Sequence, residues 1–203
     1  WYLDAIAAIG VGLMVAKIGW DLAWHSIREL VDTGLETERV EAIRKTILDV
    51  DGVVSLHVLR TRRMAGEALV DVHIQVAPHI SISEGHYVSE TVRARVIKEI
   101  EEVADVMVHI DPENDEVTPP NTGLPLRHKL MAQLEQQWQG LAAASRIEDV
   151  TLHYLEGQIQ VELKLPFTVL EENTQASRDA LQSQFDEVAN RLEEVSAITV
   201  CYV

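Results

Sequence analysis

The chain has 203 residues, 47% of them hydrophobic, and a formal net charge of −16, which allows one ordinary domain or two small ones with packed cores. A surface this acidic argues against nucleic acid as a partner and favours cations. The single cysteine, Cys201, excludes an intrachain disulfide framework and fits a reducing compartment. Because the chain begins at Trp1 rather than at an initiator methionine, we expect it to be part of a longer protein.

The N-terminal stretch is apolar and long enough to cross a lipid bilayer. Residues 1–24 carry three charged side chains, Asp4, Lys17 and Asp21, and a span needs about 20 apolar residues. Lys17 and Asp21 are four residues apart, so they can pair on a helix. Aromatic residues lie near both ends, as is typical of membrane interfaces. We interpret residues 1–33 as a transmembrane helix, with a packed hydrophobic helix as the alternative.

The next part of the chain, residues 34–112, is predicted to form an α+β module in the order α-β-β-α-β. The predicted segments are a helix over 36–48, strands over 53–59 and 69–76, a helix over 83–103 and a strand over 106–111. In the first strand, alternation places Leu56 and Val58 on the apolar side and His57 on the other. Residues 60–67, which are basic and include Gly66, are predicted to connect the first two strands.

Histidines and an aspartate share one face of this predicted sheet. If the apolar sides of the three strands meet in one core, His57, His73, His109 and Asp111 all lie on the opposite surface. Imidazole and carboxylate ligands suit Zn²⁺ and neighbouring divalent transition metals. His86, at the start of the following helix, is predicted to close the site from the edge. The competing interpretation is a polar sheet face on which the histidines are incidental.

The same order of elements recurs after an acidic and then Pro-, Asn- and Gly-rich segment, residues 113–125, which is predicted to be a linker. The second set consists of a helix over 126–141, strands over 150–155 and 158–165, a helix over 175–195 and a strand over 197–203. Glu156–Gly157 is the predicted hairpin turn. We interpret residues 126–203 as a degenerate second copy, which gives two tandem metallochaperone-like open sheets with helices on one face.

These segments resemble the cytoplasmic C-terminal domain of the cation diffusion facilitator family, membrane carriers that exchange divalent metal for protons. The matching runs are Leu56–Arg62, Val70–His73, Glu84–His86 and Val108–Pro112. Upstream, Leu3–Ala7 and Arg28–Asp32 resemble the start and the exit of that family's last transmembrane helix. The resemblance covers about the first 112 residues, and the second copy is an extension that the family pattern does not explain.

The resemblance implies a binuclear metal site. His57 and His73 would hold one ion, His86 and His109 would hold another, and Asp111 would bridge the two. The expected ion is Zn²⁺, with Fe²⁺, Mn²⁺, Cd²⁺ and Co²⁺ as alternatives, because regulatory ligands do not fix what a membrane site carries.

The resemblance also implies a homodimer in the cell (inner) membrane, with residues after about 33 in the cytoplasm, where metal draws the two cytoplasmic domains together. Asp32 matches an acidic residue that pairs with a lysine on another membrane helix. The transport ligands of the family lie on earlier membrane helices, so this chain is not expected to transport metal alone. Two alternatives stay open, namely a soluble tandem regulatory or interaction protein with structural histidines, and a metal-delivering chaperone.

The second copy keeps three residues that can bind metal. His153, Glu162 and Cys201 stand where the first copy has three histidines, and Arg178 stands where it has the helix histidine. We favour a degenerate surface used for dimer or partner contacts over a metal site there. His79, in a loop, is a lesser candidate ligand and is expected to be solvated rather than bound to metal. No glycine-rich phosphate loop, nucleophile motif or zincin pattern is present, so no enzymatic activity is predicted.

Overall fold

The computed structural model of the chain describes residues 2–30, 34–64, 66–114, 116–118, 121–172 and 178–203. It forms two compact units, of which the first comprises residues 1–76 and 80–111 and the second residues 77–79 and 112–203. The elements in chain order are α1 (Tyr2–Leu30), α2 (Thr37–Leu48), β1 (Ser55–Met64), β2 (Glu67–Gln75), α3 (Ile82–Glu99), β3 (Val103–Asp111), α4 (Arg127–Gln137), β4 (Asp149–Leu155), β5 (Gln158–Leu165), α5 (Thr168–Glu172), α6 (Arg178–Ala189) and β6 (Val195–Tyr202).

Each unit contains one three-stranded mixed sheet. In the first, β2 pairs antiparallel with β1 and parallel with β3, and in the second β5 does the same with β4 and β6. A parallel neighbour requires a crossover connection, which α3 and α6 provide. The predicted α+β fold, an N-terminal helix followed by two α-β-β-α-β modules, is therefore confirmed. The second unit adds the short helix α5 and a 3-10 turn over Ala142–Arg146.

The core of the first unit lies between the sheet and helices α2 and α3. The buried residues of β2 alternate along the strand, whereas those of α3 recur every four residues. Val72 of β2 and Val92 of α3 are both fully buried, and burying a valine side chain contributes about 1.5–3 kcal/mol. This apolar side forces the alternate residues of β2, including Asp71 and His73, onto the opposite face of the sheet.

Strand β1 is longer than the sequence indicated, because residues 60–64 continue it instead of forming a loop. They stay paired with β2 up to the hairpin turn. The extension is compatible with its basic residues, since the guanidinium of Arg63 reaches the carboxylates of Glu36 (3.4 Å) and Glu102 (3.2 Å). Residues 60–64 were not predicted as a strand because they are mostly polar and lack the alternation of apolar residues on which strand prediction relies.

A β-bulge in β1 changes which residues face the core. The pairing with β2 shifts between Leu56 and Val58, so that Val58 pairs with His73. Leu59 then packs against the core, and the prediction that Val58 lies on the apolar side is wrong. An extra residue in one strand reverses the alternation beyond it and re-aims neighbouring side chains. Here the extra residue is His57.

Two predicted helices extend too far at their C-terminal ends. Helix α3 ends at Glu99, because Ile100 adopts an extended conformation (φ −117°, ψ 93°), and the chain enters β3 at Val103. Helix α6 ends at Ala189, and residues 175–177 of its predicted start lie outside the described residues. Both sheets therefore gain residues at the start of their last strand.

The described part of the segment predicted as a linker binds the β4–β5 hairpin. The Asn121 side chain donates to the carbonyl oxygen of Tyr154 (3.1 Å) and accepts from the backbone N–H of Gly157 (2.9 Å). The carboxylate of Glu113 accepts from the backbone N–H of Glu156 (2.8 Å). Glu156 and Gly157 have positive φ values of 54° and 73°, which confirms the predicted turn.

Helix α1 is long and apolar enough to cross a membrane over Tyr2–Ile27, and none of that stretch is buried. It is the one such helix in the described part of the chain. The rings of Trp20 and Trp24 stack with centroids 6.2 Å apart. Asp32, the predicted partner of a lysine on another membrane helix, lies outside the described residues.

Candidate metal centre

Three histidines form a row across the open face of the first sheet. The parallel register of β2 and β3 places His73 opposite His109, and the bulge in β1 brings His57 to the other side of His73. The rings of His73 and His109 stack with centroids 4.4 Å apart, and those of His57 and His73 meet edge to face at 5.6 Å. Side-chain exposure rises along the row from 3% at His57 to 25% at His73 and 59% at His109.

Asp111, at the end of β3, lies against all three imidazoles. Its Oδ2 is 3.1 Å from Nε2 of His57 and 3.2 Å from Nδ1 of His73, and its Oδ1 is 2.9 Å from Nε2 of His109. The carboxylate side chain is 9% exposed. Buried carboxylates are stable only with hydrogen-bonding or charged partners, and here the partners are the three rings. One carboxylate oxygen thus contacts the rings of His57 and His73, and the other contacts the ring of His109.

The geometry of His57, His73 and Asp111 fits a divalent transition metal. Among the described residues, His57, His73 and Asp111 are the one group of three or more His, Cys, Asp or Glu side chains whose ligand atoms all lie within 4.8 Å of one another. Tetrahedral Zn²⁺ with bonds of about 2.0–2.2 Å holds its ligand atoms about 3.3–3.6 Å apart. The distances of 3.1 and 3.2 Å from Asp111 to the rings are within a few tenths of an ångström of that spacing. The group can therefore accept an ion with small side-chain movements.

His86 lies on α3, outside this group. Helix α3 begins with Ser81 as its N-cap, whose hydroxyl accepts from the backbone N–H of Glu84 at 3.1 Å. His86 follows within the first two turns and is exposed. The structure thus brings together His57, His73, His109 and Asp111 but does not include His86 in the ligand group.

The three candidate ligands of the second copy share a sheet face but not a position along it. His153 pairs with Gln160, whereas Glu162 pairs with Thr151 on β4 and Thr199 on β6. Cys201 pairs with Lys164 one step further along the face. The structure therefore does not bring His153, Glu162 and Cys201 together as the sequence comparison of the two copies suggested, since each belongs to a different rung of the sheet.

His79 is exposed, in agreement with the expectation that it is solvated, but it also has a neighbour that sequence reasoning did not predict. The structure places its ring 4.5 Å from that of His153, at an interplanar angle of 88°. Burial lowers the pKa of His153, the neighbouring His79 lowers it further, and Glu162 acts in the opposite direction. His79 lies in a connector without a strand or helix period, so no pattern in the sequence could have assigned it to this position.

Residues 35–113 match the model of a protein family described as "Cation efflux protein, cytoplasmic domain". This part of the chain, called the cation efflux domain below, resembles that family. The resemblance drawn from the sequence is thereby confirmed for the first module, and the cation efflux domain carries the histidine row. The match ends at residue 113 and does not include the second module.

Curated relatives match about half of the chain. Metal tolerance protein 2 of Oryza sativa subsp. japonica is 40% identical over 109 residues, which make up 54% of this chain and 28% of that protein. Magnetosome protein MamB of Paramagnetospirillum magneticum (strain ATCC 700264 / AMB-1) is 33% identical over 109 residues, 54% of this chain and 37% of that protein. The chain thus spans well under half the length of these relatives.

Among solved structures, the MamM-CTD (residues 215–293 of that protein) is similar to part of this chain at 25% sequence identity. The match covers 38% of this chain and 100% of that one, with a TM-score of 0.37.

Proposed function

We propose that this chain is the last membrane helix and cytoplasmic regulatory region of a divalent-metal efflux carrier that works by proton antiport, and that the cation efflux domain binds Zn²⁺. One observation carries the proposal, which is that three imidazoles share the two oxygens of a single buried carboxylate, Asp111. Imidazole nitrogen and carboxylate oxygen are ligands that suit Zn²⁺, and they also accept Fe²⁺, Mn²⁺, Cd²⁺ or Co²⁺.

The proposed site holds two ions. The first lies between His57, His73 and the Oδ2 atom of Asp111. The second lies at Oδ1 of Asp111 and at His109, and His86 completes it by turning from the surface of α3. The division of the carboxylate oxygens supports this assignment, because a bridging carboxylate offers one oxygen to each ion. Metal binding requires neutral imidazole, so protons compete with the ions for every histidine in the site.

Regulation follows from the position of the site on an open sheet face. Met107 lies on the same strand as His109 and is 70% exposed, so apolar surface borders the row. We propose that a second copy of the chain covers this face and that metal favours the closed homodimer. An ion can shift a conformational equilibrium only by its differential affinity for the two states. Helix α1 and Asp32 would transmit that shift to the membrane part of the carrier.

The test measures two quantities in the same samples, the zinc bound per chain and the oligomeric state of the protein. The full chain, without a histidine tag and in detergent, is dialysed against Zn²⁺ and its metal content is determined by mass spectrometry. Asp111→Asn is expected to lose about two ions per chain relative to the unsubstituted protein, whereas His57→Ala and His109→Ala should each lose about one. Asp105→Asn is the matched control, because Asp105 lies on the same strand and pairs with Arg93 at 2.9 Å instead of with a histidine.

Light scattering of the same samples should show a dimer that zinc stabilises in the unsubstituted chain and in the control but not in Asp111→Asn. Equal zinc content in all five proteins would contradict the metal site. Zinc binding without any effect on the monomer–dimer equilibrium would leave the site but reject its role in regulation. Competition with Mn²⁺, Fe²⁺, Cd²⁺ and Co²⁺ then ranks the ions.

A further inference from the structure

A pair of histidines in the second unit has no role in the site described above. His79 and His153 meet edge to face with ring centroids 4.5 Å apart, and both belong to the second unit. Two imidazoles bound to one tetrahedral zinc ion have ring centres about 5 Å apart, given Zn–N bonds of about 2.0–2.1 Å. The observed separation is therefore close to that of a pair of ligands.

The imidazole of His153 has the surroundings and the protonation state that a metal ligand needs. Its Nε2 atom is buried and has no hydrogen-bond partner among the residues that the structure describes. A buried polar atom without a partner costs about 1–3 kcal/mol, and a metal ion would satisfy it. Burial and the neighbouring His79 lower the pKa of His153, so the ring is neutral at pH 7, which is the form that binds metal.

A carboxylate lies on the same sheet face as His153. The ligand atoms of His79, His153 and Glu162 do not all lie within 4.8 Å of one another, so binding of one ion requires side-chain rotation. Glu162 is on β5, two residues beyond Gln160, which pairs with His153, and diagonal neighbours on one face of a sheet are about 7–8 Å apart at Cα, within reach of long side chains. Its charge acts on His153 in the direction that favours a cation. The nearby amine of Lys164 does not compete, because it pairs with Asp149 at 3.1 Å.

The residue that replaces His86 in the second copy is also engaged elsewhere. The guanidinium of Arg178 lies over the rings of Phe167 and Tyr202, 5.7 and 5.5 Å from their centroids, in cation–π contacts that contribute about 0.5–1 kcal/mol each. The positive charge that the sequence placed in the second copy is thus held by two aromatic rings.

The geometry points to a second divalent-cation site, of the zinc class, held by His79, His153 and Glu162. This ligand set differs from the one suggested by the comparison of the two copies, because His79 takes the place of Cys201. Two imidazoles and one carboxylate leave the fourth tetrahedral position to water. The site is independent of the one in the cation efflux domain, since the two share no residue.

The test removes the first site so that the second can be measured alone. The full, tag-free chain carrying His57→Ala, His73→Ala and Asp111→Asn is titrated with Zn²⁺ by calorimetry in detergent. Added to this background, His79→Ala and His153→Ala are expected to weaken zinc binding by at least about tenfold, since even changes to the partners of metal ligands cost that much. His128→Ala is the matched control, an exposed histidine of the same unit on α4, and it should leave the affinity unchanged.

Each outcome decides the proposal. Zinc bound by the background protein and lost in both histidine variants, with circular dichroism unchanged, supports the site. His79 is exposed, so His79→Ala keeps the test valid even if His153→Ala fails to fold. No zinc bound by the background protein, or binding that survives His79→Ala, overturns the proposal. Binding that Cys201→Ser abolishes and His79→Ala does not would reject His79 in favour of the cysteine. None of these results depends on whether the first site binds metal.

Discussion

Alanine substitution of two glycines, one packed against helix α3 and one within it, should change the stability of the cation efflux domain in opposite directions. Gly52, in the turn before β1, has φ +93°, and a Cβ atom added there would lie 2.8 Å from Cγ2 of Val88 on α3. Gly85 lies inside α3, and a Cβ there would meet its nearest atoms, from Ile110 and Ile80, at 3.7 Å. The first contact is an overlap and the second is an ordinary van der Waals contact.

The magnitudes follow from these geometries. In Gly52→Ala, left-handed backbone at a residue with Cβ costs about 1–2 kcal/mol, and overlap with the buried Val88 costs about 1–3 kcal/mol. We therefore expect a loss of about 2–5 kcal/mol in the free energy of unfolding. Gly85→Ala should raise it by about 1 kcal/mol, because alanine is favoured over glycine by that amount in a helix interior.

Amide hydrogen exchange of the full chain, followed by mass spectrometry, resolves the effect for each unit. Protection of peptides from β2 and α3 should fall by at least about 30-fold in Gly52→Ala and rise about fivefold in Gly85→Ala, since 1.4 kcal/mol is a tenfold change. Peptides from β5, in the other unit, serve as the internal reference. If both variants lose protection equally, or if Gly52→Ala has no effect, the packing of the turn against α3 is not as described.

Three further results are expected. Because burial holds the pKa of His153 below that of an unfolded imidazole, the metal-free second unit should lose stability as the pH falls below about 6.5, and His153→Gln should flatten that dependence in thermal unfolding at pH 5 and 7.5. Asn121→Ala, which breaks hydrogen bonds to Tyr154 and Gly157, should raise exchange at the β4–β5 turn by about 5- to 100-fold, a loss of about 1–3 kcal/mol. Removal of residues 1–33 should abolish the need for detergent, and a truncated chain that still aggregates without it would count against a membrane helix.

The sequence was sufficient to predict the two α-β-β-α-β modules, because β2, α3 and their counterparts bury regular apolar patterns. It was also sufficient to group the three histidines of the row with Asp111. Side chains alternate along a strand, so the face of every residue follows once one residue is known to point into the core. The sequence placed His57 on the correct face of the sheet, but it did so by assuming a regular strand without a bulge. Val58, not His57, is paired with His73, and His57 reaches the row only because it is the bulged residue.

The features that escaped prediction depend on contacts between distant residues. Residues 60–64 lack apolar alternation, and their pairing with β2 is decided by the hairpin and by ion pairs such as Arg63 with Glu102. The connector that carries His79 has no periodic signal, so its position beside His153 is a property of the folded chain. For His86, the sequence predicted the position at the start of α3. It could not predict the direction of the side chain, because a helix start does not define where an exposed side chain points.

The order in which the strands are made has a consequence for the time at which metal can be captured. His57 and His73 lie on a local hairpin, but Asp111 follows His73 by 38 residues and joins them only after α3 has crossed over and β3 has paired in parallel. Such non-local pairing forms late in folding. A nascent chain therefore offers two imidazoles without the carboxylate that unites them, and an ion bound by the complete set stabilises only the finished domain. Metal would therefore stabilise the domain after it has folded, and it would not direct the folding of the nascent chain.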